Sequence, residues 1–208
     1  MNARKTFETL AKEKAPGPSP SFQLFHIIKM LEVIAGSSVG RGTLSKELGI
    51  GAGAARTLIE RLREEGIIAI SKQGCVLTQR GKRLWKKVQN FIPSKIELER
   101  SQLTLSAYNV AILVRAKANK VRLGMEQRDA AVLAGAQGAT TLVMNKGKLT
   151  MPHEDRDIEE TVPETHERII CSLKPHDGDV IIIGSGDNHN TAEYGAIAAA
   201  WVLFGDND

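Results

Sequence analysis

The sequence lacks the features by which membrane, disulfide-rich and nucleotide-binding proteins are usually recognised. None of its apolar runs is long enough to span a bilayer, and residues 1–14 have no apolar core of the kind found in signal peptides. Its only two cysteines, Cys75 and Cys171, belong to no metal-binding spacing, and no Gly-Lys-Thr or Gly-Lys-Ser of a P-loop occurs. We therefore expect a cytoplasmic protein with reduced thiols, no cofactor and no membrane partner.

Charge is distributed unevenly along the 208 residues. Residues 1–90 carry a net charge of +9, and residues 91–208 carry −5. The length allows two modest domains, so the asymmetry indicates a basic domain that meets a polyanion and an acidic domain with another role. The fold class we predict is α+β, with a small α/β domain in the second half.

Residues 41–66 have the spacing of two short helices joined by a tight turn. Leu44 and Leu48 lie four residues apart on one face of the first predicted helix, and Gly49 follows where helices commonly end. The second predicted helix runs from about residue 52 to 65 and is closed by Gly66. Its outward face is predicted to carry Arg56, Thr57, Glu60, Arg61 and Arg63. The pattern predicts a helix-turn-helix.

A short hairpin and a capped helix follow directly. Apolar and β-branched residues at 67–70 and 75–77 predict two strands with a turn between them. Thr78 is expected to cap a basic amphipathic helix over 79–88. Upstream, Ser19 and Pro20 predict the start of a long helix that runs through Gly36.

This order resembles the winged helix-turn-helix domains of bacterial and archaeal transcription regulators. The resemblance is carried by TLSKELGI at 43–50, RLREEGII at 61–68 and LTQRG at 77–81. It implies double-stranded DNA as the partner, with one helix in the major groove and the wing tip near the backbone. The residues it places at DNA are Ala52, Gly53, Arg56 and Thr57 on the helix and Lys72 and Gln73 on the wing. Arg41 and Lys86 add to the predicted basic footprint on the phosphates.

Glycine and alanine at 51–53 offer no side-chain hydrogen bonds to base edges. Sequence recognition would then depend on Arg56, Thr57 and main-chain amides. A winged helix used for protein contact or dimerisation is the alternative, because one fold serves many roles.

The predicted domain organisation has four parts. Residues 1–18 are expected to be a mobile arm and 19–92 the winged helix-turn-helix domain. Residues 93–107 are expected to connect it to the α/β domain at 108–208. Within that domain the pattern predicts, in order, a strand, a helix, a hairpin, a helix, a buried strand at 180–183 and a last helix over 191–204.

A glycine-led polar segment joins that buried strand to the last helix. Loops between a strand and a helix often bind ligands in open α/β sheets, and free amides at a helix N-terminus attract anions. The residues predicted to bind a small polar or anionic ligand are Gly184, Ser185, Gly186, Asn188, Asn190, Thr191 and Arg128. Helix capping and close helix packing need these same residue types, so that interpretation stays open.

Two further groups of side chains have residue types suited to chemistry. His189, Glu193 and Asp187 are too few to identify a metal site, so neither metal ligands nor catalytic residues are predicted. A basic cluster predicted beside the first helix of the α/β domain either binds a phosphate or carboxylate or is a solvated face. It consists of Arg115, Lys117, Lys120, Arg122 and Arg128.

The whole chain, with QRDAA at 127–131 and GAQGATT at 135–141, is similar to archaeal proteins that join a winged helix to a domain of unknown function. The resemblance implies an intracellular, presumed regulator and brings no catalytic residues. We predict a homodimeric DNA-binding transcriptional regulator whose second domain senses a small ligand or dimerises. The alternatives are an enzyme with its active site at 184–193, and an interaction module that uses the winged helix.

Overall fold

The computed structural model describes residues 2–12 and 20–205. The chain divides into two compact units near residue 90, an N-terminal unit up to Gln89 and a C-terminal unit spanning Asn90–Phe204. No helix among the described residues is long and apolar enough to cross a membrane.

The N-terminal unit has the winged helix-turn-helix fold predicted from the sequence. Its elements are helices α1 (Ala3–Ala11), α2 (Leu24–Gly36), α3 (Arg41–Glu47) and α4 (Ala52–Glu64), strands β1 (Ile68–Ser71) and β2 (Gly74–Leu77), and helix α5 (Gln79–Phe91). The two strands pair antiparallel, and Val39 adds one bridge to Cys75. Thr78 begins α5 as expected, because its hydroxyl oxygen accepts a hydrogen bond from the Gly81 amide at 3.1 Å.

The beginning of the chain differs from the predicted mobile arm. Residues 3–11 form α1, and Phe7 and Leu10 are buried. An apolar residue at every third or fourth position made this segment amphipathic, although its charges suggested an arm. Residues 13–19, including the predicted cap Ser19, lie outside the described residues. Helix α2 begins at Leu24, after Gln23, rather than at Pro20.

The C-terminal unit is built on one five-stranded sheet. Its strands are β3 (Lys95–Leu98), β4 (Tyr108–Val114), β5 (Gly138–Asn145), β6 (Lys148–Thr150) and β7 (Val180–Gly186), in the order β3-β4-β7-β5-β6. Its helices are α6 (Met125–Leu133), α7 (Pro163–Leu173) and α8 (His189–Trp201). Two single-turn helices, Ala118–Lys120 and Ile158–Glu160, lie in the connections.

Every neighbouring pair of strands in this sheet is antiparallel. Helices α6 and α8 pack on one face, and α7 packs on the other. Strand β7 is buried along its whole length, as its unbroken apolar run predicted. The predicted connector at 93–107 is partly wrong, because residues 95–98 form the edge strand β3, which pairs with β4.

Candidate functional site

The turn between α3 and α4 sets the position of the candidate DNA-binding helix. Gly49 adopts the left-handed conformation with φ +62°, which a glycine allows without steric cost. The Ser45 hydroxyl donates a hydrogen bond to the Ile50 carbonyl at 2.6 Å, and the Ile50 amide returns one to the Ser45 carbonyl. These bonds hold the turn, so the direction of α4 relative to α3 is well defined.

The outward face of α4 is exposed over its first turns. Ala52, Gly53, Arg56 and Thr57 all reach solvent, as the sequence predicted. The Arg56 guanidinium pairs with Glu60 at 3.0 Å, and the Thr57 hydroxyl donates to the Gly53 carbonyl at 3.1 Å. The exposed pair on a helix surface is weak, so Arg56 can exchange Glu60 for a base or a phosphate at little cost.

Three arginines converge on a groove between α3, α4 and the wing. Arg41, Arg56 and Arg63 line it, together with Ile70 and Gly74 of the hairpin, and its volume is about 510 Å³. Sequence spacing alone did not show that Arg63 lies with Arg41. A concentration of guanidinium groups beside the first turns of α4 is suited to a phosphate backbone.

The wing tip is exposed and polar. Lys72 and Gln73 form its turn, held by the Ser71 hydroxyl, which accepts from the Gln73 amide at 3.1 Å and donates to the Gly74 carbonyl at 3.0 Å. Cys75 on β2 is buried, and burial raises the pKa of its thiol. Cys75 therefore stays protonated and unreactive at neutral pH.

Two basic residues from the predicted footprint lie elsewhere. Lys86 is exposed, but it lines a different groove with Trp85 and the end of α2. Arg61 is 7% exposed, so its prediction as an outward residue is wrong. Its Nη1 donates to the carbonyls of Leu10 at 2.9 Å and Lys12 at 2.6 Å, which attaches α1 to α4.

The glycine-led segment of the C-terminal unit is the end of β7 rather than an open loop. A Cβ on Gly184 would overlap the carbonyl oxygen of Ala192 and lie 2.6 Å from the Ala196 amide nitrogen. A Cβ on Gly186 would overlap the Thr191 hydroxyl. The two glycines allow α8 to lie directly against the sheet.

The polar side chains of that segment already have partners in the fold. Asn188 caps α8, because its Oδ1 accepts from the Thr191 amide at 3.0 Å while the Thr191 hydroxyl accepts from the Asn188 amide at 3.2 Å. Ser185 is buried, donating to Asn109 Oδ1 at 2.7 Å and accepting from the Leu105 amide at 3.0 Å. This geometry favours the capping and packing interpretation over a ligand site.

The remaining two predicted ligand residues are not gathered into a site. Asn190 is partly exposed in the first turn of α8. Arg128 pairs with the neighbouring Asp129, with 2.8 Å between its Nη2 and the carboxylate. The sheet is antiparallel around β7, so the rule for ligand sites at the carboxyl ends of parallel strands does not apply here.

Comparisons with known proteins agree with this division of the chain. The family described as "CggR N-terminal DNA binding domain" matches residues 22–92, and the family "Domain of unknown function (DUF4443)" matches residues 105–203. Residues 22–92 are therefore similar to a known DNA-binding domain, and residues 105–203, called the DUF4443 domain below after the family they match, are similar to a domain of unknown function. A solved hypothetical protein from Pyrococcus horikoshii OT3 is 26% identical, with a TM-score of 0.72 over 88% of this chain and 93% of that one. No curated protein matches the chain.

The DUF4443 domain also contains an ion pair that sequence spacing did not reveal. Glu193 on α8 is fully buried and pairs with Lys95 of the edge strand β3. His189 lies on the solvent side, 3.2 Å from Glu97 and 3.6 Å from Glu193. Because Glu193 is held by Lys95, it is not available as a ligand or base at the predicted enzyme site.

A second cluster in the DUF4443 domain combines two carboxylates with an imidazole. The ligand atoms of Asp157, Glu159 and His166 lie within 4.8 Å of one another. Asp157 caps a single-turn helix by accepting from the Glu159 amide at 3.1 Å, and His166 Nε2 lies 3.6 Å from the same carboxylate. Capping and this polar contact account for the arrangement.

Proposed function

We propose that this protein is a transcriptional regulator whose helix α4 docks in the major groove of duplex DNA. The observation that carries the proposal is the groove lined by Arg41, Arg56 and Arg63 beside the exposed start of α4. The match of residues 22–92 to a DNA-binding domain supports it. The basic net charge of +9 over residues 1–90 adds long-range attraction to the phosphates.

The roles of individual side chains follow from where they lie. Arg56 is the base-reading residue, because it is the long donor in the exposed first turns of α4 and, among the described residues, pairs only with Glu60. Thr57, Ala52 and Gly53 bring the backbone of α4 close to the groove. Lys72 and Gln73 on the wing, with Arg41 and Arg63, contact phosphates and set the position on the duplex.

We further propose a symmetric dimer and a role for the DUF4443 domain. A symmetric dimer presents two copies of α4 to half-sites about 34–36 Å apart, the usual geometry for this class of domain. The DUF4443 domain either senses a small ligand or holds the two copies together. The Pyrococcus relative favours an archaeal origin for the chain.

The test is fluorescence anisotropy with DNA from upstream of the protein's own gene and with a scrambled duplex, at several salt concentrations. Arg56→Ala is expected to lose about 1–3 kcal/mol on the specific duplex and less on the scrambled one, because only a base contact discriminates between them. Lys72→Ala is expected to weaken both and to reduce the salt slope by about one.

Lys148→Ala is the matched control, since it removes an equally exposed positive charge from the DUF4443 domain. It should bind both duplexes as the wild type does. Equal losses on the two duplexes after Arg56→Ala would remove the base-reading role, and no binding at low salt would remove the proposed function.

A further inference from the structure

Helix α6 of the DUF4443 domain begins without a cap, in contrast to α8. The residue before it is Gly124, which adopts φ +77° and has no side chain to accept from the first turn. Within residues 2–12 and 20–205, the amides of Met125, Glu126 and Gln127 have no hydrogen-bond partner. Such amides, at the positive end of the helix dipole, attract an anion.

A buried hydroxyl without a partner lies beside this helix start. Thr141 on β5 is 4% exposed, and its Oγ1 makes no hydrogen bond among the described residues. A Cβ placed on Gly124 would lie 3.4 Å from that oxygen and 3.2 Å from Thr141 Cβ. A buried hydroxyl left unpaired is costly, so this atom itself points to a missing polar partner.

A second unpaired oxygen lies one turn further along α6. Gln127 is 2% exposed, and its Oε1 has no hydrogen-bond partner among the described residues. It follows Gly124 by three residues and therefore lies on the same face of the helix. An amide oxygen can only accept, so its partner must bring a hydrogen.

We infer that the DUF4443 domain binds a phosphate group, free or as a monoester, at the N-terminus of α6. The first-turn amides and the Thr141 hydroxyl donate to phosphate oxygens, and the Gln127 oxygen accepts from the P–O–H of the monoprotonated form. An ionised carboxylate has no hydrogen to donate and leaves Gln127 unpaired. The inference rests on the proposed ligand-sensing role of this domain, for which it names the site and the chemical class.

Exposed and charged side chains surround the proposed site. Gly124 itself is buried, but the side chains on either side of it, Leu123 and Met125, are 68% and 46% exposed, so solvent-exposed residues flank the helix start. Arg122 is exposed and has no ion-pair partner in the described part of the chain, while Glu126 on the first turn points a carboxylate into solvent. Arg122 belongs to the basic cluster that the sequence indicated, and it offsets Glu126.

Thr141→Val is the variant that tests the site, because it removes the hydroxyl and keeps the shape. Inorganic phosphate is added to the full chain at constant ionic strength, and binding is followed by calorimetry and by the melting temperature of the DUF4443 domain. We expect the melting temperature of the wild type to rise by roughly 5 °C when the phosphate concentration is ten times the dissociation constant. The variant should show no rise, and without phosphate it should melt no lower than the wild type, since the lost hydroxyl had no partner.

Thr140→Val is the matched control on the neighbouring residue. The Thr140 hydroxyl donates to the Leu103 carbonyl at 2.8 Å, so this variant should melt lower but keep its response to phosphate. Glycerol phosphate and acetate separate a monoester from free phosphate and from a carboxylate. Absence of a phosphate response in the wild type, or an equal response in Thr141→Val, would overturn the inference.

The same proteins distinguish this failure from failure of the proposed function. DNA binding is measured by anisotropy in chloride buffer without phosphate, and it depends on the N-terminal unit. A wild type that binds the specific duplex but not phosphate keeps the regulator and loses only this site. A wild type that binds phosphate but no DNA keeps the site and loses the regulator.

Discussion

The polar residues predicted as site residues from the sequence have opposite environments in the two units. In the N-terminal unit, the side chains of Arg56, Lys72 and Gln73 are exposed. In the described part of the chain, Arg56 has only a surface ion pair with Glu60. In the DUF4443 domain, Ser185, Asn188 and Thr191 are engaged in hydrogen bonds within the fold. A polar cluster in a sequence is thus available to a ligand only where the fold leaves its side chains without hydrogen bonds.

The starts of α6 and α8 in the DUF4443 domain differ in the same way. Helix α8 has the sequence signature of a capped start, with Asn188 and Thr191 three residues apart, and the Asn188 side chain accepts from the Thr191 amide. Helix α6 begins at a glycine and has no such signature. The α8 start, where the sequence predicted an anion site, is capped by Asn188, whereas no side chain among the described residues caps the first turn of α6.

Glycine substitutions should give the largest difference in stability between the two units. Gly184→Ala places a methyl group on the Ala192 carbonyl and is expected to destabilise the DUF4443 domain by about 3 kcal/mol. Gly53→Ala in α4 meets nothing within 4 Å and is expected to stabilise the N-terminal unit by about 0.5–1 kcal/mol. Urea unfolding followed by tryptophan fluorescence checks both. A Gly184→Ala protein as stable as the wild type would contradict the packing of α8 on β7.

The two tryptophans allow each unit to be followed separately. Trp85 lies on α5 in the N-terminal unit, and Trp201 ends α8 in the DUF4443 domain. Trp201→Phe therefore reports unfolding of the N-terminal unit, and Trp85→Phe reports unfolding of the DUF4443 domain.

Two arginines on α4 should separate stability from DNA binding. Arg61→Ala is expected to destabilise the N-terminal unit by about 2–3 kcal/mol, because it removes both hydrogen bonds to the end of α1 and leaves those carbonyls unpaired. Arg56→Ala should leave the free energy of unfolding within about 0.5 kcal/mol of the wild-type value, since its ion pair with Glu60 lies at the surface. If Arg61→Ala is instead as stable as the wild type in urea but loses DNA binding, the assignment of Arg61 to the interior is wrong.

Acid should destabilise the N-terminal unit through a single imidazole. Burial lowers the pKa of His26 to about 4 from its ordinary value of 6.5, and its Nδ1 accepts from the Gln23 amide at 2.9 Å. Protonation therefore favours the unfolded chain, so stability is complete above pH 6.5 and falls as the pH drops toward 4. Because the ring is partly exposed, we expect a loss of about 1–2 kcal/mol across this range.

His26→Gln provides the control for this prediction, because glutamine does not titrate. The comparison is made between pH 7 and pH 5, with Trp85 as the probe. The variant should lose less stability than the wild type over this interval. The same loss in both proteins would show that other groups are responsible.

Part of the architecture could be predicted from local sequence alone. Helices α3 and α4, the wing and the cap Thr78 follow from apolar spacing, Gly49 and turn residues that lie within a few positions of one another. The buried strand β7 follows from an unbroken apolar run. The predicted connector at 93–107 was less accurate, because the short strand β3 is defined by its pairing with β4 rather than by its own pattern.

The sequence by itself determined the winged helix, the basic character of the first half and the exposure of Arg56, since periodicity and net charge are local or additive properties. Only the tertiary structure decided that Arg61 faces inward toward α1, that Gly184 packs under α8, and that Thr141 and Gln127 are buried without partners. The physical reason is that hydrogen-bond satisfaction and close packing depend on groups distant in sequence. A residue's type shows what it can bind, and the fold decides whether that capacity is already used.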